Sequence, residues 1–346
     1  MSSTHSQARI AILGAGLIGK RHAEYVAKEA VLSAIVDPAE EAKAVAEKHS
    51  TKYYSNLDDL LNDDKPDGII IATPNQMHEM HAIQCMEAGI PVLIEKPITD
   101  TVAAAERIVA VGKRTKVPIL VGHHRRYNPL IVRAKQAIDE GKLGRIVAVH
   151  TSCWFYKPDD YFTAEWRRAK GGGPILVNMI HDVDLLRHFC GDVQSVQAQQ
   201  SNAVRGHAVE DTAVILLRFT SGALGTVTVS DSIAAPWSWE LTAAENPIYP
   251  QTHTTSTMIG GTNGSLSIPD LGFWQHDDAP DWWSPISRNA LTYDEGDPLL
   301  LQVRHFADVI LNNAEPIMSG QEGLATLKVM GAIKEASQTE ACITLA

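Results

Sequence analysis

The chain has 346 residues, of which 45% are hydrophobic and 21% charged, with a formal net charge of -11. So acidic a surface argues against nucleic acid or an anionic membrane as the main partner, and no run of about 18 apolar residues offers a membrane span. The scattered cysteines Cys85, Cys153, Cys190 and Cys342 show neither a CxxC nor a ligand spacing, and the polar start MSSTHSQAR has no apolar signal core; free thiols, no metal and a cytoplasmic setting are expected.

The length suits two domains, and the elements divide accordingly. In the first third, strand candidates at Ala8–Leu13, Leu32–Val36, Gly68–Ala72, Val92–Ile94 and Pro118–Val121 alternate with helical stretches. Those stretches are Leu17–Ala30, Ala39–Lys48, Gln76–Ala88 (closed by Gly89) and Thr101–Arg114. Strands separated by helices of about 10–15 residues predict βαβ units and a parallel sheet. Beyond residue 122 the rhythm changes. A helix over Asn128–Glu140 stops at Gly141, Arg145–Trp154 alternates as a strand, and a helix is expected over Asn178–Phe189. The stretch VEDTAVILLRFTSGALGTVTVS holds two strand-like runs about Ser221–Gly222, a hairpin signal. Residues 233–297, rich in Pro, Trp, Asn and Asp and without a clear period, read as long loops. Helices near 298–313 and 321–337 close the chain. The predicted fold is an N-terminal Rossmann dinucleotide-binding domain over 1–122. It is followed by an α+β domain over 123–346 with an open, largely antiparallel sheet, whose last helices can pack back on the first domain.

Gly14, Gly16 and Gly19 in GAGLIG follow the first strand directly and open a helix. Gly14 allows the tight turn, Gly16 the approach of a pyrophosphate to the backbone, and Gly19 close packing of helix on strand, while free amides at Leu17 and Ile18 face the phosphates. Asp37 stands at the tip of the second strand, about twenty residues on, where a carboxylate binds the adenosine ribose hydroxyls. With Pro38, Ala39 and Glu40 after it, no cation stands ready for a 2′-phosphate, so NAD is expected over NADP. ATPNQMH (72–78) and LIEKP (93–97) leave later strands at their carboxyl ends, where open α/β sheets bind ligands. The adjacent His123 and His124 cannot face the same way in a strand, and no third ligand stands at zinc spacing.

With GAGLIG, the strand end at Asp37, TPN…H, EKP, RYNP at 126–129, the Trp166–Arg167 pair and the glycine run GGGPILVNMIHDVD, the chain resembles the glucose–fructose oxidoreductase, inositol dehydrogenase and MocA family over almost its whole length. That resemblance implies hydride transfer between NAD(P) and a ring carbinol of a sugar, inositol or glycoside, in a homodimer or homotetramer built through the C-terminal sheet. It places Thr73, Pro74, Asn75, His78, Glu95 and Lys96 with Gly14, Gly16, Leu17, Ile18, Gly19 and Asp37 around the cofactor. It places Lys96, His124, Arg126, Trp166, Arg167, Asn178 and His181 around the substrate.

Lys96 and His181 are the expected acid–base groups, an ammonium to steady developing charge and an imidazole to take a proton. Many family members carry Asp four residues before the histidine, where this chain has Val177; Asn178, one position later, can touch but not titrate. Asp184 either orients His181 or pairs with Arg187 or His188, and Arg126 either lines the pocket or joins the domains. Two other readings stay open: a dehydrogenase for the dihydrodiol of an aromatic carboxylic acid, and a nucleotide-bound sensor that turns nothing over.

Overall fold

A computed structural model of the chain describes residues 7–169 and 171–345. It separates into two units, Met1–Asn128 with Gly296–Leu327, and Pro129–Glu295 with Lys328–Ala346.

The first unit is built on a parallel sheet of six strands: β1 (Arg9–Leu13), β2 (Val31–Val36), β3 (Lys52–Tyr54), β4 (Gly68–Ile71), β5 (Val92–Ile94) and β6 (Ile119–Val121). The order is β3-β2-β1-β4-β5-β6, so the direction of travel reverses between β1 and β4. Connections run through α1 (Leu17–Glu29), α2 (Ala42–Lys48), α3 (Leu57–Asp63), α4 (His78–Glu87) and α5 (Val102–Thr115). Strands such as GIII read as unbroken apolar runs because both faces are covered. Ile69, Ile71, Ile94 and Val121 pack into one core. Ile10, Ile12, Ile70, Leu93 and Leu120 join Phe306 in another. Local signals set the helix ends: Thr101 caps α5 through the Ala104 amide, and α4 stops before Gly89 at φ +73°. Sequence reading passes over β3 and α3, which are short, and starts α2 too early, because Pro38–Glu41 turn beneath Asp37 before the helix begins at Ala42.

The second unit carries α6 (Pro129–Asp139), β7 (Ile146–Trp154), α7 (Pro174–Val177), α8 (Ile180–Cys190), β8 (Val193–Ser201), β9 (Thr212–Phe219), β10 (Leu224–Ser230) and α9 (Trp239–Thr242). After these come β11 (Thr257–Gly261), β12 (Ser265–Ile268), β13 (Gly272–His276) and β14 (Ile286–Ala290). Helix α10 (Pro298–Asn312) belongs to the first unit, α11 (Gly320–Thr339) is divided between the two, and β15 (Ile343–Thr344) ends the chain. The sheet order is β14-β13-β12-β11-β7-β10-β9-β8-β15. All pairs are antiparallel except β7 with β10 at the centre. The β9–β10 hairpin forms about Ser221–Gly222, with Leu224 opposite Arg218.

Two expectations need correction here. Residues 257–290 are not loops but four strands, each of four or five residues, and they form one side of the sheet. Strands this short carry too little periodicity to be read alone; their neighbours' ladder bonds stabilise them. The helix expected over Asn178–Phe189 is α8, which starts two residues later at Ile180, and Asn178 is instead the C-cap of the short preceding helix α7.

Candidate functional site

In the first unit the predicted cofactor residues gather at the carboxyl ends of β1, β2, β4 and β5, about the reversal of strand order. The glycines have distinct physical roles. A Cβ on Gly14 (φ +99°) would lie 2.6 Å from the Ala72 carbonyl oxygen, and one on Gly19 would lie 1.9 Å from the Gly14 oxygen. Both contacts clamp α1 against the exits of β1 and β4. At Gly16 nothing stands within 4 Å of a built Cβ. Gly16 is the N-cap of α1, no side chain caps that end, and no acid occupies its first turn. Leu17 is 94% exposed. Free amides, the positive end of the helix dipole and open space at Gly16 together fit a diphosphate.

Asp37 leaves β2 with both carboxylate oxygens engaged: Oδ2 accepts from the Ala15 amide at 2.7 Å and Oδ1 from the Ala39 amide at 2.8 Å. The carboxylate is thereby held against the glycine turn, with lone pairs remaining for ribose hydroxyls. Thr73, Pro74 and Asn75 leave β4, the last two exposed. His78 is fully buried, its Nδ1 3.1 Å from the Pro97 carbonyl oxygen and its Nε2 2.9 Å from that of Thr73. Its ring therefore ties the TPN loop to the EKP loop. Burial lowers its pKa, against the pull of those two carbonyls.

The EKP stretch leaves β5. Lys96 is half-buried and joined to Pro97 by a cis peptide bond. Glu95 is 7% exposed, and its Oε1 lies 2.7 Å from Nε2 of His22, which is fully buried on α1. Its Oε2 accepts from the Lys96 amide at 3.0 Å. Burial acts to raise the Glu95 carboxyl, but the His22 hydrogen bond and the neighbouring Lys96 and His124 outweigh it and hold it at about 2. The residues after β6 turn inward: His123, Arg125 and Arg126 are buried, His124 half-buried. Arg126 pairs with Glu322 at 2.8 Å, both within this unit.

In the second unit His181 is the second residue of α8 and 8% exposed; Asp182 and Asp184 are buried on the same helix. Asn178 and Met179 keep right-handed helical angles, so the chain bends little between α7 and α8. The Asn178 Oδ1 is buried and has no hydrogen-bond partner among the described residues. The turn at Glu165–Arg168 leaves Trp166 exposed. Arg167 lies over the Tyr161 ring at 4.0 Å and donates to the Tyr161 carbonyl at 2.7 Å. A Cβ on Gly172 would meet the Trp166 carbonyl oxygen at 2.4 Å, so the glycine run and the Trp166–Arg167 turn touch only because that side chain is missing.

Several residues that sequence reasoning passed over support these positions. Glu210 fills the space beside Gly173 and accepts from the Ile175 amide at 3.1 Å, capping α7. Lys157 is buried 3.9 Å from Asp231 and 4.8 Å from the Tyr161 ring, its pKa lowered by burial. Arg205 reaches the same Asp231 at 2.7 Å. No motif announced Glu210, Lys157 or Arg205, whereas His22 stands within the glycine motif itself, in GLIGKRH. Among the described residues no group of three or more His, Cys, Asp or Glu is arranged to hold a metal ion, and no helix is long and apolar enough to cross a membrane.

Residues 8–123 match a family described as the oxidoreductase family with NAD-binding Rossmann fold, and residues 131–267 match its GFO/IDH/MocA C-terminal domain. The chain is 31% identical over 230 residues to a myo-inositol 2-dehydrogenase of Thermotoga maritima, covering 63% of this chain and 67% of that one. It is 27% identical over 345 residues to the NAD(+)-dependent scyllo-inositol 2-dehydrogenase of Bacillus subtilis, covering 93% and 92%. The structure of the WlbA dehydrogenase from Bordetella pertussis, in complex with NADH and UDP-GlcNAcA, superposes with a TM-score of 0.77 at 26% identity, covering 98% of this chain and 99% of that one. The glycine turn, the Asp37 carboxylate and the strand-exit loops thus agree with the relatives in assigning NAD as cofactor, and the chain belongs to the Gfo/Idh/MocA family of NAD-binding oxidoreductases.

Proposed function

We propose that this dehydrogenase oxidises a ring carbinol of a sugar, inositol or glycoside. The observation that carries the reading is the arrangement at the head of α1: open space at Gly16, uncapped amides, and Asp37 fixed by the Ala15 amide. The inositol dehydrogenases named above support the substrate class. When bound, NAD supplies the carbon that accepts hydride. Gly14, Gly16, Leu17, Ile18 and Gly19 would hold the diphosphate, Asp37 the ribose hydroxyls, and Thr73, Pro74 and Asn75 the flank of the nucleotide. Lys96 donates a hydrogen bond to the reacting oxygen and steadies its developing charge. His181 accepts the hydroxyl proton. His124, Trp166, Arg167 and Asn178 contact the remaining hydroxyls or an acidic substituent. The ion pair of the buried Arg126 with the more exposed Glu322 supports a positioning part for that arginine more than direct contact.

We further propose a homodimer or homotetramer formed through the open face of the nine-stranded sheet, which carries exposed Val214, Leu216, Leu224 and Met258. The test of the activity is a panel of inositols, aldoses and glycosides offered with NAD, read by the absorbance of reduced nicotinamide. Turnover of at least one ring polyol supports the reading. Turnover confined to open-chain or aromatic alcohols would overturn it.

A further inference from the structure

We infer that Glu95, anchored by His22, is the positioning residue of Lys96: the carboxylate fixes the backbone where Lys96 leaves β5 and supplies the negative charge that keeps its side chain an ammonium. This rests on the catalytic reading of Lys96 for its functional meaning, but not for its test.

The geometry is that of a hub closed on every side. His22 offers Nε2 to Glu95 Oε1 at 2.7 Å from the first turns of α1, and it is itself fully buried. Its Nδ1 is buried and has no hydrogen-bond partner among the described residues. Glu95 Oε2 takes the Lys96 amide at 3.0 Å, which sets the backbone direction at the residue whose side chain matters. On the remaining side Gly122 leaves room for the carboxyl group: a Cβ there would come within 3.0 Å of it.

A buried carboxylate must be balanced by hydrogen bonds and opposite charge. The titratable groups that act on Glu95 are His22 from α1, His78 from α4, Lys96 beside it and His124 after β6. Lys96 is the one lysine among these, its positive charge helps to hold the Glu95 carboxyl ionised, and the attraction is mutual. The nucleotide end of α1, which bears His22, is thereby linked through one carboxylate to the proposed acid–base lysine. A surface lysine in a strand-exit loop would need no such support.

The test reads Lys96 directly and needs no substrate. The purified full chain, without added nucleotide, is reacted with a trace of an amine-acylating reagent across a pH series, and labelling at Lys96 is followed by peptide mass spectrometry. In Glu95→Gln the midpoint of Lys96 deprotonation is expected to fall by about half a pH unit or more, as expected when a neighbouring opposite charge is removed. Glu95→Asp, which keeps the charge, is expected to restore most of it. An unchanged midpoint in soluble Glu95→Gln would overturn the inference. Should Glu95→Gln fail to fold, Glu95→Ser, which removes the same charge, decides: a lowered midpoint supports the inference and an unchanged one sinks it. Loss of turnover in Lys96→Met with no shift in the labelling series would remove only this inference. A clear shift with full turnover in Lys96→Met would remove only the catalytic reading of Lys96.

Discussion

Asp37 Oδ2 accepts a hydrogen bond from the Ala15 amide at 2.7 Å, across a separation of 22 residues. The bond locks the tip of β2 to the glycine turn after β1, so the carboxylate proposed to read the ribose is held in place by the fold itself. Replacing Asp37 by Ser removes both the charge and the lock. Losing charge-assisted hydrogen bonds worth about 1.5–3 kcal/mol should weaken NAD binding by about 10- to 100-fold and narrow the preference over NADP. Titration calorimetry with both dinucleotides checks this; an unchanged NAD affinity would remove Asp37 from the site.

Gly16 and Gly19 belong to one motif but should fail in different ways. Gly16→Ala adds a methyl group to open space with φ at -68°, so the free protein should keep its melting temperature while NAD binding drops about tenfold or more. Gly19→Ala drives a methyl group to 1.9 Å from the Gly14 carbonyl oxygen. Overpacking of that kind costs about 1–3 kcal/mol, so the melting temperature should fall by several degrees before any ligand is added. Scanning calorimetry of the two free variants separates the cases; equal melting temperatures would contradict this account.

Most of the first unit is legible in the sequence because every strand there except β3 is a short apolar run bounded by a helix, and because Gly14, Gly16, Gly19 and Asp37 sit at the spacings of a dinucleotide-binding turn. The strands over 257–290 were not legible: Ser265–Ile268 has four residues, and its pairing with Met258 and Phe273 comes from distant chain. The same holds for the site. Lys96 and His181 stand in motifs, whereas Glu210 beside Gly173 and Asp231 beside Lys157 are brought in by the β9–β10 hairpin, a relation no spacing encodes. Asn178 was read as part of the His181 helix; that helix begins two residues later.

Glu95 makes stability depend on acid. Its folded value, about 2, lies below the ordinary 4.5. A depressed carboxyl contributes stability that is fully present above the ordinary value and is lost as pH falls toward the folded one. The wild-type melting temperature should therefore drop more steeply than that of Glu95→Gln as pH is lowered from about 5 to about 3. Parallel slopes in a thermal series would show that Glu95 is not held ionised in the folded chain.

Lys96→Met and His181→Asn probe the proposed chemistry. Each should lower kcat by about 10²- to 10⁴-fold on whichever ring polyol the panel identifies, the usual worth of a positioned acid or base. The dissociation constant for NADH should stay within about threefold for His181→Asn, which leaves the glycine turn and Asp37 untouched. Full activity in either variant removes that residue from the acid–base pair.

The open sheet face gives the last prediction. Met258, His150, Thr226, Leu216 and Gln197 stand in one register row across β11, β7, β10, β9 and β8. The His150 ring bonds the Thr226 hydroxyl at 2.8 Å, which fixes both on this side. Alternate residues Ile259, Val149, Val227, Leu217 and Ile215 are buried in the unit's core, so the two faces are cleanly sorted. On the outer face Leu216 is 49% and Met258 53% exposed, with Val214 and Leu224 similar. Apolar side chains spread over a broad, regular surface are what a self-complementary interface buries. Light scattering should therefore return a mass of at least twice 37.7 kDa for the wild type. Leu216→Glu combined with Met258→Glu should shift it toward the single-chain value, because each dyad-related copy would bring its own carboxylates into the same apolar patch. A wild type that elutes at the single-chain mass, or a double variant that stays assembled, would place the contact elsewhere on the molecule.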